Sequence, residues 1–183
     1  MSRVEPIEIA GVQVREYTGF DDVRGGGSQT FDAENLRYAI GCEFEAGSVS
    51  SLYNRRGALR GFHVQRGEGR EKYVACVLGE VFDVVVDLRS SSSTFGRWAG
   101  LVLSAKNKKA LYVPRGVGHA MLGLSEESMV NIVSTATSAS AGETGIDPFD
   151  PEICVQWPDV GGFLRSPRDV DFASLDEYRR SAV

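Results

Sequence analysis

Histidine is scarce in this chain, with two among 183 residues, at positions 63 and 119. Any imidazole-dependent proton transfer at neutral pH therefore falls on one of two side chains. Cysteine is nearly as rare: Cys42, Cys76 and Cys154 are odd in number, widely spaced and without a CxxC pair, which excludes a disulfide framework and a zinc knuckle and suits a cytoplasmic protein. A basic excess is missing too, since 20 Lys and Arg face 25 Asp and Glu for a net charge of −5. Domains that coat nucleic acid carry the opposite balance, because counterion release drives their binding, so no nucleic-acid partner is expected. No apolar run approaches the roughly 20 residues of a membrane helix, and the opening MSRVEPIEIAG has no apolar core of signal-peptide length. No membrane partner is expected either.

What is present suits one sheet-rich domain spanning residues 1–183, with 42% hydrophobic residues to fill its core. Short β-branched runs at 73–77, 81–88, 99–103, 110–113 and 128–134 are the strand candidates, and their spacing points to a sandwich or barrel. Leu78-Gly79-Glu80 reads as a turn between two of them, and Pro114-Arg115-Gly116 ends another. Residues 25–28 read as a flexible glycine loop and residues 136–145 as a small polar stretch, both exposed. A helix is expected only at 174–180, where Ser174 and Glu177 stand at capping-box spacing. The triple glycine is no phosphate loop, because no GK[ST] follows it, and Ser90 to Ser93 read as a solvated connection.

The stretch LRGFHVQ, residues 59–65, sets His63 between a buried-looking turn and a following strand. With an ordinary pKa of about 6.5 such a histidine can accept a proton at neutral pH, although a lone histidine is more often a satisfied core or turn residue. The neighbouring segments decide between these. LRGFHVQ followed by GEVFDVVVDLR, STFGRW, LSAKN and PRGVGHA, with QWP at 156–158 and SPRD at 166–169 beyond, resembles the dTDP-4-dehydrorhamnose 3,5-epimerase family of cupins. The likeness is dense over 57–125 and thinner after it. It implies an all-β jelly roll (double-stranded β-helix) with a short C-terminal helix, a homodimer whose N-terminal segment reaches the partner's site, a dTDP-linked sugar as substrate, and neither metal nor organic cofactor.

Epimerisation beside a ketone needs a base for the α-proton, a cation or donor at the enolate oxygen, and an acid on the opposite face. The resemblance implies that His63 is the base and Asp169 the carboxylate that orients it. It places Lys72 at the 4-keto oxygen and makes Arg60, Arg168, Arg24, Gln65 and His119 substrate-binding residues. Guanidinium groups suit a diphosphate through paired hydrogen bonds. Read without the resemblance, Lys72 is a strand-edge lysine, Asp169 a surface cap and His119 a structural histidine at the barrel mouth.

The departures cluster in the pocket. The family's acid is a tyrosine in a strand of the pattern YKxTxxY; here NIVSTATSA places Ile132 at that position, with Thr137 and Ser138 where further tyrosines follow. Ser48-Val49-Ser50 replaces a Gln-Asp-Asn run, and Gly27 and Gln29 stand where aromatic and acidic residues are expected after Arg24. Three readings follow: an epimerase acting at carbon 3, carbon 5 or both, with water, Tyr53 or Tyr112 as acid; another isomerase or a cyclase on the same scaffold; or a noncatalytic protein that binds a sugar nucleotide or a partner. A metal cupin is disfavoured. Gln65 stands where its second histidine would be, Glu68 and Glu71 miss the spacing of its glutamate, and two histidines without carboxylates rarely satisfy a transition metal.

Overall fold

The structure, a computed structural model, describes residues 8–65, 69–135 and 143–181. Residues 1–7 of the N-terminal segment expected to reach a partner, Glu68, Thr137, Ser138 and most of the polar stretch expected at 136–145 lie outside the described residues. In chain order the strands are β1 (Gln13–Glu16), β2 (Thr18–Asp22), β3 (Gly25–Gln29), β4 (Ser48–Arg55), β5 (Leu59–Gln65), β6 (Lys72–Leu78), β7 (Glu80–Asp87), β8 (Trp98–Ser104), β9 (Lys109–Val113), β10 (Val117–Gly123), β11 (Glu127–Ser134) and β12 (Glu143–Gly145). The helices are α1 (Ala33–Ile40), α2 (Pro167–Val170) and α3 (Leu175–Arg180).

Ten strands form two antiparallel five-stranded sheets, ordered β1-β9-β6-β11-β4 and β12-β5-β10-β7-β8, while β2 and β3 make a separate hairpin. The arrangement is the expected jelly roll, and strand alternation explains how it is filled. On β6, Val74 and Cys76 point between the sheets with Val81, Val85, Leu101, Leu111 and Val130. Tyr73 and Ala75 point the other way and are covered by Leu36 of α1 and Phe44. On the second sheet, Phe62, Val64, Val84 and Val86 face outward and are covered by Ile146, Ile153, Leu175 and Tyr178. Each fully buried Val or Leu contributes about 1.5–3 kcal/mol.

Two glycines permit close approaches. Gly79 (φ 66°) turns β6 into β7 where a Cβ would lie 2.1 Å from the Glu127 carbonyl oxygen, and Gly61 (φ 106°) lets β5 pass within 2.5 Å of the His119 carbonyl oxygen by the same measure. The C-terminal cover is pinned by α3, where Ser174 Oγ accepts from the Glu177 amide and Glu177 Oε2 accepts from the Ser174 amide. The capping box expected there is present, a contribution of about 1 kcal/mol.

Three expectations need correction. Residues 25–29 form β3 rather than a loop, because they pair with β2 from Thr18↔Gln29 to Asp22↔Gly25. A helix absent from the sequence reading, α1, starts at Asp32, whose carboxylate accepts from the Asn35 amide, and ends at Gly41 in the left-handed region. Residues 143–145, placed in the exposed stretch, form β12 against β5, with Gly145 buried.

Candidate active site

Strand alternation also builds a cavity of about 210 Å³ between the two sheets. One wall belongs to the second sheet: Arg60 and His63 of β5, His119 and Met121 of β10, and Glu143 of β12. The facing wall belongs to the first: Ser48, Ser50 and Leu52 of β4, Lys72 of β6, and Ile132 and Ser134 of β11. Arg60 and His63 are three residues apart, a spacing that a regular strand sends to opposite faces. A bulge resolves this, because His119 pairs with His63 but Met121 pairs with Arg60, so the extra residue in β5 returns both side chains to the cavity.

His63 Nε2 lies 3.1 Å from Asp169 Oδ1. The ring donates there through Nε2–H and keeps its lone pair on Nδ1. Asp169 Oδ2 accepts the Gly61 amide at 3.1 Å, and the Asp169 amide donates to Ser166 Oγ at the start of α2. Phe172 meets the imidazole edge-on, with ring centroids 5.5 Å apart. Burial lowers the His63 pKa below its ordinary value, against the opposing pull of Asp169, so the ring is neutral and basic at pH 7. Burial alone would raise the Asp169 pKa, but the Gly61 amide and His63 together hold it below the usual carboxylate value.

Lys72 is 9% exposed, and burial followed by the nearby Arg70 charge lowers its pKa to about 8, while Glu143 and Asp83 oppose the shift. Glu143 is gripped from two sides, by Arg70 through Oε1 and by Arg168 through Oε2 at 2.8 Å. Arg60 Nε donates to Asn54 Oδ1 at 2.7 Å, and its Nη2 donates to the Tyr53 carbonyl at 3.0 Å. His119 is buried, with Nε2 at 3.0 and 2.9 Å from the two oxygens of Asp83.

This arrangement has the parts for proton abstraction next to a carbonyl: a neutral, carboxylate-oriented imidazole on one wall and an ammonium on the other. Residues 6–177 match the family described as dTDP-4-dehydrorhamnose 3,5-epimerase. The chain belongs to this family. It is 38% identical to dTDP-4-dehydrorhamnose 3-epimerase of Streptomyces niveus over 182 residues, covering 99% of this chain and 87% of that protein. The fold superposes on a 4-keto-6-deoxy sugar epimerase from the novobiocin biosynthetic gene cluster of Streptomyces spheroides with a TM-score of 0.90, at 37% identity over 98% of this chain and 90% of that one. A 3'-monoepimerase from Streptomyces bikiniensis in complex with dTDP-quinovose gives a TM-score of 0.90, at 35% identity over 97% and 90% of the two chains.

Of the residues picked out from the sequence of this epimerase-family member, Arg60, His63, Lys72 and His119 line the cavity, and Asp169 stands behind His63. Arg168 lies at the rim and reaches the cavity only through Glu143. Gln65 ends β5 and is not among the lining residues. Arg24 sits at the tip of the β2–β3 hairpin, bound to Asp22, with its side chain 81% exposed and away from the cavity. Ile132 does face the cavity. The substitute acids considered from the sequence do not: Tyr53 bonds to Glu127 on the outer face of β4, and Tyr112 packs against Phe44 behind the first sheet. None of the six tyrosines lines the cavity. Arg70, Ser134, Met121 and Glu143 were not picked out. Period two reveals the first three, each two residues from a position already noted (Lys72, Ile132 and His119), whereas Glu143 carries no such signal.

No group of three or more His, Cys, Asp and Glu side chains placed to hold a metal occurs among the described residues. No helix among them is long and apolar enough to cross a membrane.

Proposed function

We propose that this protein inverts carbon 3 of a dTDP-linked 4-keto-6-deoxyhexose during deoxysugar biosynthesis. The observation that carries the reading is the pair His63 and Lys72, held on opposing walls of one cavity, with Asp169 orienting the base. The ketone at carbon 4 acidifies the hydrogen on carbon 3. His63 takes that proton, the C–H electrons form an enolate, and the Lys72 ammonium stabilises the negative oxygen. Asp169 keeps Nε2–H in place and stabilises the imidazolium. Arg60, braced by Asn54 and the Tyr53 carbonyl, offers its guanidinium to the diphosphate. Carbon 3 is put first because similar proteins from S. niveus and S. bikiniensis are 3-epimerases, while relatives of comparable identity are 3,5-epimerases and make carbon 5 the second position to read.

The reading includes a homodimer in the cytoplasm. The exposed β2–β3 hairpin presents Phe20 and Val23, apolar side chains that a second copy would cover. The test is incubation with dTDP-4-keto-6-deoxyglucose in heavy water, followed by NMR at carbons 3 and 5. Deuterium at carbon 3 in an inverted product is expected, and absence of exchange at both carbons would refute the activity. Light scattering checks the dimer.

A further inference from the structure

We propose that the Lys72 ammonium is the acid that returns a proton to the enolate, on the face opposite His63. The proposal rests on the epimerase reading above. Inversion requires that the proton leave one face of the carbon and arrive at the other, so the acid must come from the wall facing the base. That wall is the first sheet, and its contribution is fixed by alternation along three strands: Ser48, Ser50, Leu52, Lys72, Ile132 and Ser134. Leu52 and Ile132 have no proton to give. Serine hydroxyls are far weaker acids than an ammonium. Arg70 lies beside Lys72, but a guanidinium does not deprotonate in proteins. Neither tyrosine nor cysteine lines the cavity.

Lys72 opens β6 directly opposite Ser134 of β11, so its stem leaves the backbone at the cavity and is 9% exposed. The charged groups acting on it are Arg70, which precedes it on the chain, Glu143 of β12, Asp83 of β7, and His63 of β5. Burial and Arg70 bring its pKa to about 8, close enough to neutrality for the proton to leave without losing the charged resting form. The step balances. The enolate's C=C electron pair takes the proton from Nζ, the carbonyl re-forms, and Lys72 is left neutral beside a protonated His63. Solvent then carries the proton from imidazolium to amine. Arg70, paired with Glu143, keeps its guanidinium proton throughout and so does not compete with Lys72 as donor.

Lys72→Arg tests this, because it keeps a cation for the enolate and removes a donatable proton. In heavy water with dTDP-4-keto-6-deoxyglucose, the variant is expected to keep deuterium entry at carbon 3 within about tenfold while inverted product falls about 100-fold or more. Inversion retained together with exchange in Lys72→Arg overturns the assignment. Should Lys72→Arg lose exchange as well, the unmodified protein decides the matter through pH. Inversion per exchange event must fall as pH rises through about 8, where Lys72 deprotonates, and a flat ratio overturns the proposal. Exchange without inversion in the unmodified protein leaves the base in place and removes Lys72 as acid. No exchange removes the epimerase reading and this assignment with it.

Discussion

The cavity holds two histidine–carboxylate pairs on neighbouring strands, and they are built for different work. His63 and His119 are cross-strand partners on β5 and β10. The His63 side chain keeps 24% of its surface exposed and takes its carboxylate from α2, 106 residues along the chain. His119 keeps 3%, and its carboxylate comes from the adjacent strand β7, with both oxygens of Asp83 within hydrogen-bonding reach of one nitrogen. The first pair leaves part of its ring open to the cavity, while the second is buried and tied to the neighbouring strand through both carboxylate oxygens. On the proposed reading, identical chemistry that differs in burial and in where the carboxylate originates makes the first a reagent and the second a strut.

Replacing either histidine tests that division. His63→Asn should lower deuterium entry at carbon 3 by about 10³–10⁴-fold, the upper range for losing a general base, with little change in urea denaturation. His119→Leu should do the reverse. It strands the Asp83 carboxylate in the interior and should cost about 3 kcal/mol, toward the lower end for a broken buried pair because Lys72 remains nearby, and urea denaturation measures it. If the two variants exchanged these phenotypes, the roles assigned above would be inverted.

Asp169→Asn sharpens the comparison. The amide oxygen still accepts Nε2–H, but the amide nitrogen then faces the Gly61 N–H that Oδ2 accepted, so the charge and one hydrogen bond are lost together. Exchange should fall about ten- to a hundredfold, and its acid limb should move to lower pH, since Asp169 raises the His63 pKa against the effect of burial. The smallest effect is on stability against pH. His63 has a folded pKa below its unfolded value, so its contribution is complete above pH 6.5 and is lost as pH falls through that value toward the folded pKa. Asp169, also depressed, adds a loss below its ordinary 3.8. Melting temperature should decline with acidification from 6.5, and His63→Asn should remove the first part of that decline.

Legibility in the sequence followed the same division between scaffold and pocket. The strands β6, β7, β8, β9 and β11 show as β-branched runs because their inward positions fill an apolar core. Strands β4, β5 and β10 were invisible by that rule. They line the cavity, so serine, arginine and histidine occupy inward positions and the alternation dissolves. Helix α1 escaped because eight residues give little periodicity and its cap, Asp32, lacks a Glu or Gln partner three residues on. His63, Lys72 and Asp169 could be picked out as residues, but the grip of Arg70 and Arg168 on Glu143 depends on β12 pairing with β5, which no local pattern announces. Tyr53 misled for the opposite reason: it is close to the site in sequence and on the wrong face of its strand.

The reach of the His63–Asp169 bond also has a temporal consequence. A nascent chain synthesised as far as β11 already contains both sheets except β12, and with them His63, Lys72 and His119. Its imidazole lacks a carboxylate until residues 166–170 emerge and α3 docks over the outer face of the second sheet, anchored by the Leu175 amide on Asp150. The strands that carry His63 and Lys72 thus precede in the chain the carboxylate that orients the imidazole, and that pairing waits on the last stretch of sequence.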